Sequence, residues 1–420
     1  MNKDKNKLLN DSKYFCILPW IHIHGWADGN SFPCCNANTS APVGNMRKNT
    51  IEEIWNDHDM REMRRNMLNE QPCRQCEKCY EQEKNKLISM RREMNRNFGN
   101  LIDTLDTTEQ DGSADFKIHY WDVRFSNLCN FSCRSCGPGF SSNWYNEHVK
   151  MYGKPPDSQG RILDRIEYAA GDEDSMIEQM LPHIPYLQQV YFAGGEPLLM
   201  REHYFMLEKL IEAGRTDVRL QYNTNFSELK YKNKSVIDYW KKFSNISIGA
   251  SLDGMGDRAE IIRNGTDWNK ILDNLRLVKE QLPDIHLYIN CTLSVMNVLH
   301  ILDFHRAMVE QKIINLGDFN VNVCFQPAWL RIDILPWDFK NNSVIPRYLE
   351  HIKWIKSQDP SYRSDRTVSG FLGAVNMMQG TDASSMFPKF ISSTALHDKA
   401  KNQDFWKTFP ELLEIKNAIA

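Results

Sequence analysis

Nine of the eleven cysteines in this 420-residue chain fall into two short regions, and no other feature limits its possible folds so strongly. Cys16, Cys34, Cys35, Cys73, Cys76 and Cys79 form the first group, Cys129, Cys133 and Cys136 the second, and Cys291 and Cys324 stand apart. The opening MNKDKNKLLNDSKYF is charged and polar, without the apolar segment of a signal peptide, and no run of about 18 apolar residues occurs. The expectation is therefore a cytoplasmic chain with no membrane partner, in a compartment that keeps thiols reduced. Under those conditions clustered cysteines point to metal or cluster ligation rather than to a disulfide framework.

Charge narrows the partners. The chain has 51 basic and 54 acidic residues, a formal charge of −3, so no overall positive field draws in a polyanion and a nucleic-acid partner gains no support. With 41% apolar residues and 11 Trp, the chain can bury a substantial core.

Four segments follow from the texture of the sequence. Residues 14–83 carry the first cysteine group, turn-rich stretches such as Asp28-Gly29-Asn30, and one helix-like run from Thr50 to Leu68 that Thr50 and Glu53 open as a capping box. So little else there is apolar that a bound metal centre would help hold it together. Residues 84–117 read as a helical tail and linker, with Arg91, Arg92 and Arg96 expected on a solvated face. Residues 118–330 alternate short apolar runs at 120–125, 190–193, 218–223, 246–252, 286–293 and 319–325 with helical patterns at 141–152, 175–181, 199–213, 235–243, 268–282 and 298–311. That alternation predicts parallel βαβ units of the α/β class. Six strands are too few for a closed eight-stranded barrel, so a partial (β/α)6 barrel is expected. Residues 331–420, punctuated by Pro336, Pro346 and Pro360, form a C-terminal extension with helices expected at 344–356 and 410–419, and the sequence assigns it no chemistry.

The second cysteine group follows the first of those strands directly: Asp122-Val-Arg-Phe-Ser-Asn-Leu-Cys129-Asn-Phe-Ser-Cys133-Arg-Ser-Cys136-Gly-Pro-Gly. Random placement would give this spacing about 0.008 times in the chain. Offsets of four and seven suit one helix face, but Gly137-Pro138-Gly139 would stop such a helix, and Asn127, Asn130, Ser132 and Arg134 around it are polar. Three thiolates are one short of a closed zinc site or a fully protein-held cubane.

This Cys-x3-Cys-x2-Cys loop after a first strand resembles the signature of the radical S-adenosylmethionine (radical SAM) superfamily. The resemblance implies a 4Fe-4S cluster on Cys129, Cys133 and Cys136 with one iron open to S-adenosyl-L-methionine. Reductive cleavage of that cofactor then yields a 5′-deoxyadenosyl radical that removes a hydrogen atom from substrate. Ser135 departs from the family, which usually has an aromatic residue before the last cysteine, and leaves adenine packing to Phe131 or another side chain.

Other strand ends carry the cofactor cradle that this resemblance implies. The second strand runs into Gly194-Gly195-Glu196-Pro197, where glycines allow close backbone approach and proline suits the first turn of a helix. The string resembles the family's GGEP motif, which binds the cofactor's amino group. Asn225, Ser251 and Arg263 are the expected contacts to its ribose and carboxylate.

The first group, Cys16-Ile-Leu-Pro19-Trp20, Pro33-Cys34-Cys35 and Pro72-Cys73-Arg-Gln-Cys76-Glu-Lys-Cys79, suits a four-thiolate site for zinc or iron–sulfur, and spacing alone does not choose. It resembles the twitch half-module related to the SPASM domain, here placed before the barrel. That resemblance implies an auxiliary 4Fe-4S cluster on Cys16, Cys34, Cys76 and Cys79, with Cys35 and Cys73 as alternates. His22 and His24, beside Trp20 and Trp26, read as a structural pair rather than as ligands.

The rival is a non-catalytic zinc or iron–sulfur electron-transfer or scaffold protein, in which Gly194–Pro197 would have no evident purpose. Auxiliary-cluster relatives imply a peptide or protein side chain as substrate and an electron donor such as flavodoxin or ferredoxin.

Overall fold

A computed structural model describes residues 4–84, 88–157, 160–359 and 361–419; residues 85–87 of the expected tail and Pro360 lie outside the described residues. The chain forms two compact units, one of Met1–Asn127, Ile166–Gln221 and Lys242–Asn245, the other of Leu128–Arg165, Tyr222–Lys241 and Ile246–Ala420.

In the first unit β1 (His22–Gly25), β2 (Asn30–Phe32) and β3 (Gly44–Asn45) pair antiparallel as β1-β2-β3. The turn between β1 and β2 is the Asp28-Gly29-Asn30 stretch: Gly29 takes φ +90°, where a Cβ would stand 2.7 Å from Asn45 Oδ1. The Asp28 carboxylate accepts from Asn30 N at 3.0 Å, closing the turn. β1 also runs parallel to β4 (Tyr120–Val123), and β4 runs parallel to β5 (Gln189–Phe192), giving the order β3-β2-β1-β4-β5. The N-terminal cysteine-rich segment is thus joined by backbone hydrogen bonds to the edge of the strand that leads into the three-cysteine loop.

The run from Thr50 to Leu68 is two helices, Ile51–Trp55 and His58–Leu68, not one. Its capping box is formed as expected, and the break falls at Asn56-Asp57 because Asp57 starts a second cap, accepting from His58 N at 2.7 Å. Met63 and Met67 of the second helix pack with Phe15, Ile17, Trp20 and Phe98 in one core. Arg91 departs from the expected solvated face: it is buried and donates to the carbonyls of Ser12 at 3.1 Å and Phe15 at 2.6 Å while pairing with Glu83. A guanidinium satisfies several carbonyls at once, and here it ties the tail to the segment leading into Cys16. Arg92, by contrast, is exposed.

β6 (Arg219–Thr224) begins in the first unit and ends in the second, which adds a short hairpin of β7 (Lys230–Tyr231) and β8 (Lys234–Ser235), then β9 (Ile246–Ala250), β10 (His286–Leu293) and β11 (Phe319–Val323). The order is β11-β10-β9-β6, with β9, β10 and β11 parallel. Helices Gly256–Ile262, Trp268–Gln281 and Ile301–Glu310 fill the connections, the second capped by Asp267. The strand–helix alternation of the α/β class is therefore present in the order expected. The described extension is mainly helical: Ile345–Gln358 and Pro410–Ile419 lie where the sequence places them, and Asp365–Gly380 and Phe387–Lys401 are among the additional helices. No described helix is long and apolar enough to cross a membrane.

Candidate metal centres and cofactor site

In the second unit the three-cysteine loop is held against the segment Ile262–Gly265. Ser132 N donates to Asn264 O and Arg134 N to Ile262 O, both at 2.8 Å, so the backbone either side of Cys133 is clasped to the backbone either side of Arg263. Gly265 permits this approach: at φ +109° a Cβ there would lie 2.7 Å from the Phe131 ring. Phe131 is 1% exposed, its ring packed beneath that glycine. The loop closes on itself through Cys136 N to Cys133 O at 3.0 Å, Trp144 Nε1 to Cys133 O at 2.8 Å and Phe131 N to the Cys129 sulfur at 3.4 Å.

Two of the expected cofactor contacts are tied into this frame. Asn225 donates to Asn130 Oδ1 at 2.9 Å and accepts from Ser227 Oγ at 2.6 Å, while Asn130 Nδ2 donates to that same hydroxyl at 2.9 Å. The result is a closed polar ring at the root of the loop. Arg263 grips Asp253 with two nitrogens, at 2.8 and 3.0 Å. Asp253 is fixed in turn by Thr292 N of β10 at 2.8 Å. Ser251 follows β9, half-buried, its amide donating to Thr224 O at 2.8 Å.

The thiols are poorly hydrated. Burial pushes Cys136 up to about 12 and raises Cys133, with Arg263 acting in the opposite sense on both. Buried sulfurs beside fixed cations become thiolates readily once a metal supplies further positive charge, so the donor set suits an iron–sulfur centre. The other cysteines of this unit are engaged elsewhere: Cys291 accepts from Asn297 Nδ2 at 3.6 Å, and Cys324 donates to Gln326 O at 3.2 Å.

In the first unit Gly194 and Gly195 take φ +79° and +53° after β5. A Cβ on Gly194 would meet the stem of Arg124 at 2.9 Å, so the bare backbone is required for that side chain to lie across it. Glu196 is buried and accepts from Leu198 N at 3.1 Å, capping the short turn Pro197–Leu199.

The first cysteine group also gathers. Cys16 precedes the turn Leu18–Trp20, Cys34 and Cys35 follow β2, and Cys73, Cys76 and Cys79 lie at the start of the helix Glu77–Lys84 and just before it. Every pair among Cys16, Cys34, Cys76 and Cys79 interacts electrostatically, and burial raises Cys34 and Cys76 well above the usual thiol range and Cys16 to about 12. Cys73 instead donates to Met63 O at 3.7 Å, and Cys35 stands 3.8 Å from Met90 Sδ and interacts with Asp122. Among the described residues no three cysteine sulfurs lie mutually within 4.8 Å. His22 and His24 are both fully buried, the first held by Tyr120 O at 2.9 Å and the second facing Asp122.

Sequence reading missed Asp253 as the partner of Arg263, and the Asp122–Arg124 pair. Two charged residues at alternate positions of an otherwise apolar strand were the available signal for the latter.

The family model described as an iron–sulfur cluster-binding domain, SPASM, matches residues 16–80, and that of the radical SAM superfamily matches residues 123–304. Among solved structures, the chain is similar to anSMEcpe with bound AdoMet, at 18% identity over 55% of this chain and 60% of that one, TM-score 0.38. It is also similar to Streptococcus suis SuiB bound to precursor peptide SuiA, at 17% identity over 63% and 53%, TM-score 0.36. A third is TYW1 with a lysine–pyruvate adduct bound, at 13% identity over 57% and 71%, TM-score 0.31. The chain thus spans 60% of the length of anSMEcpe and 53% of that of SuiB. No curated protein matches the sequence.

Proposed function

The chain belongs to the radical SAM superfamily and carries an iron–sulfur SPASM domain, and from that premise we propose a two-cluster enzyme that cleaves S-adenosylmethionine reductively to begin radical chemistry on a peptide or protein side chain. Once bound, a 4Fe-4S cluster there would supply the one electron for reductive cleavage of S-adenosylmethionine to methionine and a 5′-deoxyadenosyl radical, the species that would take a hydrogen atom from substrate. Cys129, Cys133 and Cys136 would hold that cluster.

The observation that carries this reading is the set of three thiols on a clasped loop with both remaining cysteines of the unit engaged elsewhere. The Phe131 amide directed at the Cys129 sulfur is the kind of hydrogen bond that stabilises a cluster thiolate. Asn225, Ser251 and Arg263 orient the cofactor's ribose and carboxylate; Gly194, Gly195, Glu196 and Pro197 hold its amino group. Cys16, Cys34, Cys76 and Cys79 would hold the auxiliary cluster, a reading supported by the interactions among them, with Cys73, which interacts with Cys16 and Cys76, as an alternate. The substrate class is the one the SPASM resemblance implies, and the physiological reductant is a flavodoxin or ferredoxin.

The test is anaerobic cluster reconstitution followed by dithionite and S-adenosylmethionine. 5′-Deoxyadenosine is expected from the wild type and not from Cys133→Ala. A wild-type protein whose clusters reduce but never yield 5′-deoxyadenosine would be an electron carrier, and the reading would be wrong.

A further inference from the structure

The C-terminal extension lies beyond both family matches, and its residues Asp398–Phe405 hold the two neighbours of Cys133. Lys401 ends the helix Phe387–Lys401, and its ammonium is fully buried. It donates to Ser132 Oγ at 2.8 Å, pairs with Glu147, and lies 4.3 Å over the Trp144 ring. Ser132 Oγ also accepts from Asn264 Nδ2 at 2.8 Å and donates to Glu147 at 3.0 Å. On the other side of Cys133, Arg134 pairs with Asp398 and donates to Gln403 Oε1 at 3.0 Å, and Gln403 Nε2 returns to Asn264 Oδ1 at 3.0 Å. Asn402 makes the sharp exit possible by taking the left-handed conformation directly after Lys401.

Surface packing alone does not require this arrangement. Burying an ammonium is costly unless its geometry is fully satisfied, so a helix end that only had to cover the loop would do better with an apolar side chain. A buried cation beside a redox centre has a direct effect: reduction adds one negative charge, and in a poorly hydrated site a nearby ammonium favours the more negative state. We propose that the C-terminal extension is an outer shell of the three-cysteine site in which Lys401 acts as a positioning residue, holding Ser132 beside Cys133 and making a cluster bound there easier to reduce. Glu147 is its counterweight, a carboxylate on the same hydroxyl with the opposite effect.

This rests on the reading that Cys129, Cys133 and Cys136 carry a reducible cluster. The experiment is an EPR-monitored potentiometric titration of the reconstituted full-length protein, following the signal that S-adenosylmethionine perturbs. Lys401→Met is expected to lower the ratio of reduced to oxidised cluster about tenfold at the wild-type midpoint, a shift of 59 mV to more negative potential for a one-electron couple. Lys401→Arg is expected to restore the wild-type midpoint, and Glu147→Gln to move it the other way. Loss of loop order alone would not give opposite signs for the two partners of one ion pair. Equal midpoints in all variants, or shifts of the same sign in Lys401→Met and Glu147→Gln, overturn the proposal and leave the cluster assignment standing. Should Lys401→Met not fold, the Glu147→Gln and Lys401→Arg midpoints decide. A wild type with no signal responsive to S-adenosylmethionine overturns both.

Discussion

His24 and Asp122 are directly opposed in the parallel ladder of β1 and β4, with Nδ1 3.0 Å from Oδ2 and both side chains buried. Arg124 Nε stands 3.7 Å from the other carboxylate oxygen. Burial alone would push the Asp122 carboxyl up, but His24 and Arg124 outweigh it and hold the group below the usual carboxylate range. The N-terminal cysteine-rich segment therefore meets β4 through an ionic seam as well as a backbone ladder, and the stem of Arg124 continues from that seam to Gly194.

Removing one partner of a buried pair leaves the rest uncompensated and costs about 3–5 kcal/mol. Asp122→Asn is thus expected to lower the unfolding free energy of the first transition by that amount, read from a lower urea midpoint. The double variant with His24→Gln should recover part of the loss. A change below about 1 kcal/mol in the single variant would mean that the seam contributes no more than an exposed ion pair.

Asp253 plays the corresponding part in the second unit, where it receives two nitrogens of Arg263 beside the clasped loop. Asp253→Asn should release that guanidinium and loosen the backbone opposite Cys133. Iron bound per chain after reconstitution is expected to fall by about half or more, on the same buried-pair reasoning. Arg263→Met in the Asp253→Asn background should regain iron, since no charge is then stranded; failure of that rescue would show that Arg263 serves the site by contact rather than through its pair.

At Gly194 the backbone itself is the prediction. A left-handed φ of +79° costs an L-residue about 1–2 kcal/mol, and the added methyl would have to displace the Arg124 stem. Gly194→Ala is expected to weaken S-adenosylmethionine binding about tenfold in equilibrium dialysis, equivalent to about 1.4 kcal/mol. Unchanged affinity in a folded variant would remove the close approach assigned to this glycine.

Much of this was legible before any coordinates. Cysteine spacing marked both of the regions that the family models match, and short apolar runs located six strands. His286–Leu293 matches its expected range residue for residue. What escaped were features with no periodic signal. β1, β2 and β3 are two to four residues long, too short for alternation to register. Asp57 broke a run that its apolar pattern showed as continuous, because a cap is a single-residue event. The partners of Ser132 and Arg134 lie more than 250 residues away at Lys401 and Asp398, and no local rule joins residues so far apart.

Two buried imidazoles in contact contribute to the acid sensitivity of the second unit. His305 Nε2 lies 3.0 Å from the carbonyl of Leu316, which can only accept, so that nitrogen carries the proton and Nδ1 is left as an acceptor. His351 Nε2, 2.9 Å away, must then donate to it, and His351 Nδ1 accepts from Arg306 Nε at 3.3 Å. The network is satisfied only with both rings neutral. Burial, the largest influence on each, lowers His305 to about 4 and His351 to about 3 from an ordinary value near 6.5. For a base depressed in the folded state, stability is fully present above the unfolded value. It is lost as the pH falls from about 6.5 toward 4, where the unfolded chain takes up protons that the native one refuses. Each ring then contributes a slope of up to about 1.4 kcal/mol per pH unit. The urea midpoint is expected to drop steeply between pH 7 and pH 5, and His351→Gln, which can still donate to His305, should show a shallower drop. Parallel pH profiles for the two proteins would show that this pair does not govern the acid limb.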